Sequence, residues 1–390
     1  MSVSVLNLEH QLDMQLARPH VTAETSPAML IAAARWSAAI WAAAEVAGPI
    51  ELGKAEVLRG LGVAHRPVFV CGVHRSGTTL VRDLLDSHPA LAVLPSEGTF
   101  FTNFERHLQR LRPECWLPFL GCEWVRRLAN PIHQHPYWLL GRSSQESSPY
   151  VTFARALMAW WPYAQEGVGH IASSWPLVAV ALAYAHCTGG FSARSTLQRW
   201  AEKTPTNERF LDRLRSEFPD SKVIHVVRHP FAVYASHKKA AQTAGERFRN
   251  ASRVLEELNL SYRMAAEQSR GGRSHQYLLI SYEDLLESTR STVDQLAAFL
   301  RIEPHPILMQ PTAAGLPAAS NSSFAIGAAA GRVHSVVHRK WTDTLTRSDR
   351  ARLTAVVGDT AASLGYDLTP VAPWRAQLLR VATRITRKLP

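Results

Sequence analysis

Gly72-Val73-His74-Arg75-Ser76-Gly77-Thr78-Thr79 carries the densest chemistry in the chain. Gly72 and Gly77 have the spacing of a phosphate-binding loop, and the segment lies between an apolar run and a helical stripe, as such a loop requires. Glycines let the backbone curl so that several N–H groups face one anion, and the following helix adds its own unpaired N–H groups. Thr78 and Thr79 supply hydroxyl donors. A nucleotide triphosphatase would carry Lys in place of Thr78, and an Asp closing a nearby strand to help hold magnesium. Here the run Lys222 to Val227 ends in Arg228. The loop therefore suits a shorter anion, with no terminal phosphate chain and no required metal. Two other classes stand beside an enzyme of that kind. A P-loop kinase or nucleotide hydrolase predicts magnesium dependence, and a non-enzymatic protein would bind an anionic surface through its basic charge.

Arg228 falls at the carboxyl end of an apolar strand pattern, with Ser236 in the helix that follows. Ligands of open α/β sheets bind at those strand ends, and an Arg fork with a hydroxyl is a good receptor for phosphate. Lys203, in Glu202-Lys203-Thr204-Pro205, reads on its own as a solvated lysine before a helix start.

The stretch FVCGVHRSGTTLVRDLLDSHP resembles the 5'-phosphosulfate-binding loop of sulfotransferases that use 3'-phosphoadenosine-5'-phosphosulfate (PAPS). Its RSGTT form is more similar to the bacterial and Golgi types, tyrosylprotein sulfotransferases included, than to the cytosolic type. The resemblance continues at WAEKTP (200–205), VVRHP (226–230) and YEDL (282–285), in the family's order. It implies transfer of a sulfuryl group from PAPS to a hydroxyl acceptor, with PAPS as co-substrate. Arg75, Ser76, Gly77, Thr78 and Thr79 would hold the 5'-phosphosulfate, and Arg228 with Ser236 the 3'-phosphate. Lys203 would meet the charge that develops on the sulfuryl group or bridging oxygen. Tyr282 would lie near the nucleotide. The segment 335–341, with Arg339 and Lys340, would close over the 3'-phosphate and adenine, Arg332 being a rival. Asn321 to Phe324 matches a Ser-rich loop near the transferred group. A hydroxyl acceptor must lose its proton as it attacks, so a general base is needed. Glu97 falls where tyrosylprotein sulfotransferases carry a glutamate; His88 and His74 are its competitors.

Elements of a doubly covered sheet must position these groups. The runs 68–71, 91–94, 222–227 and 277–281 read as buried strands. Helical patterns follow at 80–85, 207–218, from 230, over 245–269 and over 285–300. Strands alternating with helices predict an α/β fold: a P-loop-like central parallel sheet flanked by helices, with a helical insertion. Residues 1–60 are expected as an N-terminal helical extension, the first 25 irregular. Residues 61–370 are expected as the sulfotransferase domain, with 100–200 as an acceptor-side helical insertion, and 371–390 as a basic amphipathic tail.

Composition narrows the partners. The 390 residues are 46% hydrophobic and 19% charged, which excludes disordered and low-complexity classes. Lys and Arg number 43 against 32 Asp and Glu, a net charge of +11 that points to something anionic. No helix-turn-helix, zinc-finger or aromatic RNA-reading pattern accompanies that charge, so nucleic acid is not expected. Cys71, Cys115, Cys122 and Cys187 form no CxxC pair, and the first residues lack the order of a signal peptide. A reducing, cytoplasmic location is expected. The apolar stretches 26–50 and 167–193 imitate membrane spans but read better as buried helices. After Asp367 there is no acid, while Arg375, Arg380, Arg384, Arg387 and Lys388 accumulate. Trp374, Leu378, Val381, Ile385 and Leu389 share one helical face. Docking of that face on the domain is the plainer expectation; peripheral contact with an anionic membrane is the other.

Overall fold

Val68 to Cys71 and Lys222 to Val227 are rich in β-branched residues, and both become fully buried strands. The computed structural model describes residues 3–16, 27–130, 136–142, 148–192, 195–243, 248, 251–272, 275–320, 329–334, 342–368 and 372–386. Its centre is a parallel sheet of β1 (Pro67–Cys71), β2 (Leu91–Glu97), β3 (Arg199–Lys203), β4 (Lys222–Val227) and β5 (Tyr277–Ser281). The order is β2-β3-β1-β4-β5, every neighbouring pair parallel. This is the α/β arrangement that the alternating pattern predicts.

Helices α1 (Val3–Leu16), α2 (Pro27–Ala47) and α3 (Lys54–Ala64) precede β1, and α4 (Thr78–Leu85) follows it. Between β2 and β3 come α5 (Glu105–Leu108), α6 (Trp116–Ala129), α7 (Pro149–Val168) and α8 (Trp175–Cys187). Beyond β3 lie α9 (Leu211–Glu217), α10 (Pro230–Thr243), α11 (Ala251–Arg270), α12 (Tyr282–Glu287) and α13 (Thr289–Leu300). The chain closes with α14 (Arg347–Ala362) and α15 (Pro373–Thr386).

The period-2 alternation of strands sends neighbouring residues to opposite faces. Phe69, Cys71 and Val223 pack with Trp124, Trp160 and Leu214 on one side. Val68, Val70, Ile224 and Val226 pack with Leu84, Leu85 and Leu296 on the other. Trp36 of α2 meets Trp138 and Tyr150 edge-on at 5.2 and 4.8 Å, which ties the N-terminal helices to the 100–200 region. By length and composition α2 could cross a bilayer, but Met29, Ala33, Trp36, Ile40 and Trp41 are buried in this core. Helix α8, the second membrane-like stretch, is buried over almost its whole length.

Several sequence expectations need correction. Residues 3–16 are helical rather than irregular. The segment 207–218 is a 3-10 turn (Asn207–Phe210) followed by α9, and 285–300 spans parts of two helices, because Ser288 breaks it. The largest correction is β3, which carried no strand signal. Arg-Trp-Ala-Glu-Lys reads as surface, yet all five residues are buried. It is flanked by β2 and β1, and its charged side chains find partners from other elements: Arg199 Nη1 donates to the Asp220 carbonyl at 2.9 Å and Lys203 pairs with Glu97.

Candidate active site

All five strands end on one edge of the sheet, and the predicted chemistry gathers there. After β1 the chain turns through Gly72 (φ 135°), Arg75 (φ 71°) and Gly77 (φ 103°) into α4. A Cβ on Gly72 would lie 2.3 Å from the Val226 carbonyl oxygen. The Gly72 N–H donates to the buried carboxylate of Glu208 at 3.0 Å, which anchors the loop to the segment after β3. The N-cap of α4 is Gly77, which has no side chain to cap the helix, so the first turn of α4 faces the loop with its positive dipole end.

Gly77 is the tightest point. A Cβ there would meet the Tyr282 ring at 2.2 Å, in a backbone region that L-residues avoid. Gly77→Ala is expected to destabilise the fold by about 1–3 kcal/mol and to weaken anion binding, because the ring or the loop must move. Chemical denaturation and ligand titration of the variant check both effects.

Arg228 follows β4 and is only 3% exposed. Its Nη1 donates to the Arg75 carbonyl at 3.0 Å, its guanidinium lies 4.3 Å over the Tyr282 ring, and the Tyr262 hydroxyl donates to its carbonyl. Nε and Nη2 of Arg228 and Oγ of Ser76 are buried with no hydrogen-bond partner among the described residues. Buried donors of a cation are rarely left unpaired, so the two Arg228 nitrogens form a place that fits an anion. A cleft of about 710 Å³, open to solvent, is lined by Arg75, Gly77, Thr78, Thr79, Arg228 and Ser236, with Tyr282 at its wall. Burial pushes the carboxyl of Asp83, also on the wall, up to about 6.

The far wall carries Ser320, Arg332 and His334. Arg332, the rival basic residue, thus reaches the cleft. Arg339, Lys340 and the Ser-rich loop from Asn321 lie outside the described residues. Ser320 and His334 had no sequence signal, since neither belongs to a motif. Ser76 is buried beneath the loop and does not line the cleft.

Glu97 and Lys203 stand on the other side of β1, at the ends of β2 and β3. They are register partners across the two strands, and Lys203 Nζ donates to Glu97 Oε1 at 2.5 Å. Lys203 is buried, which corrects its reading as a solvated residue. Burial lowers its pKa, and the Glu97 carboxylate opposes that shift. Arg127 of α6 donates to the Glu97 carbonyl and, at 3.0 Å, to Thr99 Oγ1, with Phe104 and Trp124 rings beneath its guanidinium. A helix of the inserted region therefore holds the end of β2. His88 is a structural residue: it accepts from Ala90 N at 3.1 Å and pairs with the Glu303 carbonyl at 2.9 Å. His74 is exposed within the loop.

Beneath the pair, buried Glu202 accepts from Gly98 N at 3.1 Å, Thr204 Oγ1 at 2.6 Å and Asn207 Nδ2 at 2.5 Å. Burial pushes its carboxyl from the ordinary 4.5 up to about 7, against the hydrogen bonds from Thr204 and Gly98. Between those values the folded chain keeps a proton that the unfolded chain has lost. Stability from this group therefore falls as pH rises from about 4.5 to about 7. Glu202→Gln is expected to remove that slope, read as urea midpoints across the window.

A glycine loop at the end of a central parallel strand, a buried arginine with two nitrogens lacking partners among the described residues and a carboxylate–lysine pair thus share one edge of the sheet. The Sulfotransferase family model matches residues 67–306, well over half of the chain, and the protein belongs to that family. Solved structures similar to it include the sulfotransferase domain of the Synechococcus PCC 7002 olefin synthase (20% identity, TM-score 0.44). The match covers 78% of this chain and 96% of that one. The sulfotransferase domain from the curacin biosynthetic pathway is 19% identical at TM-score 0.40, over 77% and 98%. A Mycobacterium tuberculosis H37Rv sulfotransferase is 18% identical at TM-score 0.38, over 79% and 86%. No curated protein matches the chain.

Proposed function

We propose that the protein transfers the sulfuryl group of PAPS to a hydroxyl acceptor. The observation that carries this reading is the buried Arg228 fork, with two unpaired donors, beside a glycine loop that has Thr78 where a triphosphatase has lysine. Those residues fit a phosphate, and the positive N-terminal end of α4 fits a second anionic group at the loop.

In this reading Glu97 takes the acceptor proton as the acceptor oxygen forms its bond to sulfur. The bond from sulfur to the bridging oxygen breaks, and adenosine 3',5'-bisphosphate leaves. Lys203 neutralises the charge that grows on the transferring group, an effect worth several kcal/mol in a dry site. Its ion pair with Glu97 keeps the base charged and aimed at the same edge. Arg75, Gly77, Thr78 and Thr79 hold the phosphosulfate end, and Arg228 with Ser236 the 3'-phosphate. The acceptor is a glycan, a tyrosyl group, a lipid or a small molecule, selected by the aromatic-rich helices of 100–200. Four free thiols suit a reducing, cytoplasmic setting.

An acceptor screen with labelled PAPS tests the reading. Label appearing on a hydroxyl acceptor without added magnesium supports it. Transfer of γ-phosphate from ATP, with no sulfated product across the panel, overturns it.

A further inference from the structure

We infer that α15 is a docking element for an anionic phospholipid surface. Of the stripe Trp374, Leu378, Val381, Ile385 and Leu389, the first three side chains are described, and they do not pack on the domain; Ile385 and Leu389 lie outside the described side chains. Trp374, Leu378 and Val381, one turn apart, are 68%, 62% and 49% exposed. What fastens the helix is another face. Arg380 donates to the Ala355 carbonyl and, at 3.1 Å, to Asp359 of α14, while Ala376 and Leu379 are half-buried. Helix α14 is itself anchored in the core through Leu353, Val357 and Ala361, beside Tyr262 and Leu258. The stripe is thus presented outward from a fixed support.

Charge decides the occupant. The last 23 residues after Asp367 contain Arg375, Arg380, Arg384, Arg387 and Lys388 and no acid. A second copy of the same helix would bring like charges together, which disfavours self-pairing through this face. A nucleic-acid backbone would satisfy the charges but leave the Trp-Leu-Val stripe in water. An anionic bilayer satisfies both: the stripe enters the headgroup boundary, with Trp374 at the interface, and basic side chains meet lipid phosphates. The 14-residue helix is about 21 Å long, too short for a hydrocarbon core of about 30 Å, so it lies on the surface rather than spanning it. The sulfuryl-transfer site contributes nothing to this inference, and the two stand or fall separately.

Co-sedimentation of the full chain with vesicles tests it. Binding is expected to phosphatidylcholine vesicles containing phosphatidylglycerol, and to be weak for phosphatidylcholine alone or at high salt. In a Trp374→Ser/Leu378→Ser/Val381→Ser variant that binding is expected to fall about tenfold or more. The same variant should keep wild-type thermal unfolding and wild-type affinity for adenosine 3',5'-bisphosphate. The inference is overturned if wild type ignores anionic vesicles or if the triple variant binds them equally. Lipid-free dimers of the wild type that vanish in the variant would also overturn it.

Discussion

Glu97→Gln lowers sulfuryl transfer by about 10²–10⁴-fold, the range for removing a positioned general base. Glutamine keeps the shape and still offers an oxygen to Lys203 Nζ, which now lies 2.5 Å from Glu97 Oε1. The Arg127 contact goes to the backbone carbonyl of Glu97 and survives the substitution. What the variant loses is the capacity to accept a proton. Affinity for adenosine 3',5'-bisphosphate should therefore stay at the wild-type level, because the groups proposed to hold its phosphates lie on the β1, β4 and β5 side of the edge. Rate and affinity measured on one preparation separate the two effects. Undiminished turnover would remove Glu97 as the base.

Arg228→Ala produces the opposite split. Losing one partner of a buried charge-assisted contact costs about 2–5 kcal/mol, or roughly 30-fold to a few thousand-fold in affinity for the bisphosphate. Two consequences combine. The fork that has two unpaired donors disappears, and the Arg75 carbonyl loses its donor at the strained turn where Arg75 holds φ 71°. Arg228→Lys keeps the charge without the planar fork, so it should recover only part of the affinity. Calorimetric titration of both variants checks the ranking. Equal affinity in wild type and alanine variant would place the phosphate elsewhere.

Much of this site was readable in the chain because its main parts are local. The loop after β1 is a contiguous segment whose glycines and hydroxyls announce themselves, and β1, β4 and β5 are short, predominantly apolar runs. Arg228 could be placed at a strand end because KVIHVV is unmistakable. The remainder depends on partners far apart in sequence. Strand β3 exists because β1 and β2 flank it, and its Lys203 is buried because Glu97, 106 residues away, answers its charge. The strand pattern of 91–94 stops short of Glu97, whereas β2 runs through Pro95 and includes it. Glu208 on the Gly72 N–H, Arg127 on the end of β2 and the Glu202 network carry no motif at all. A buried carboxylate or guanidinium in such a network looks, as sequence, like any surface charge.

The basic excess divides in the same way. Arg75, Lys203, Arg228 and Arg332 gather at the cleft and its neighbouring edge. The acid-free tail supplies a separate basic region on α15.

The most direct test of the account is calorimetric titration of the wild-type chain with adenosine 3',5'-bisphosphate in the absence of divalent metal. Saturable binding at one site per chain, competed by PAPS and much tighter than that of ATP with magnesium, is the predicted result. ATP binding well with magnesium, while the bisphosphate gives no heat and no competition, would contradict it.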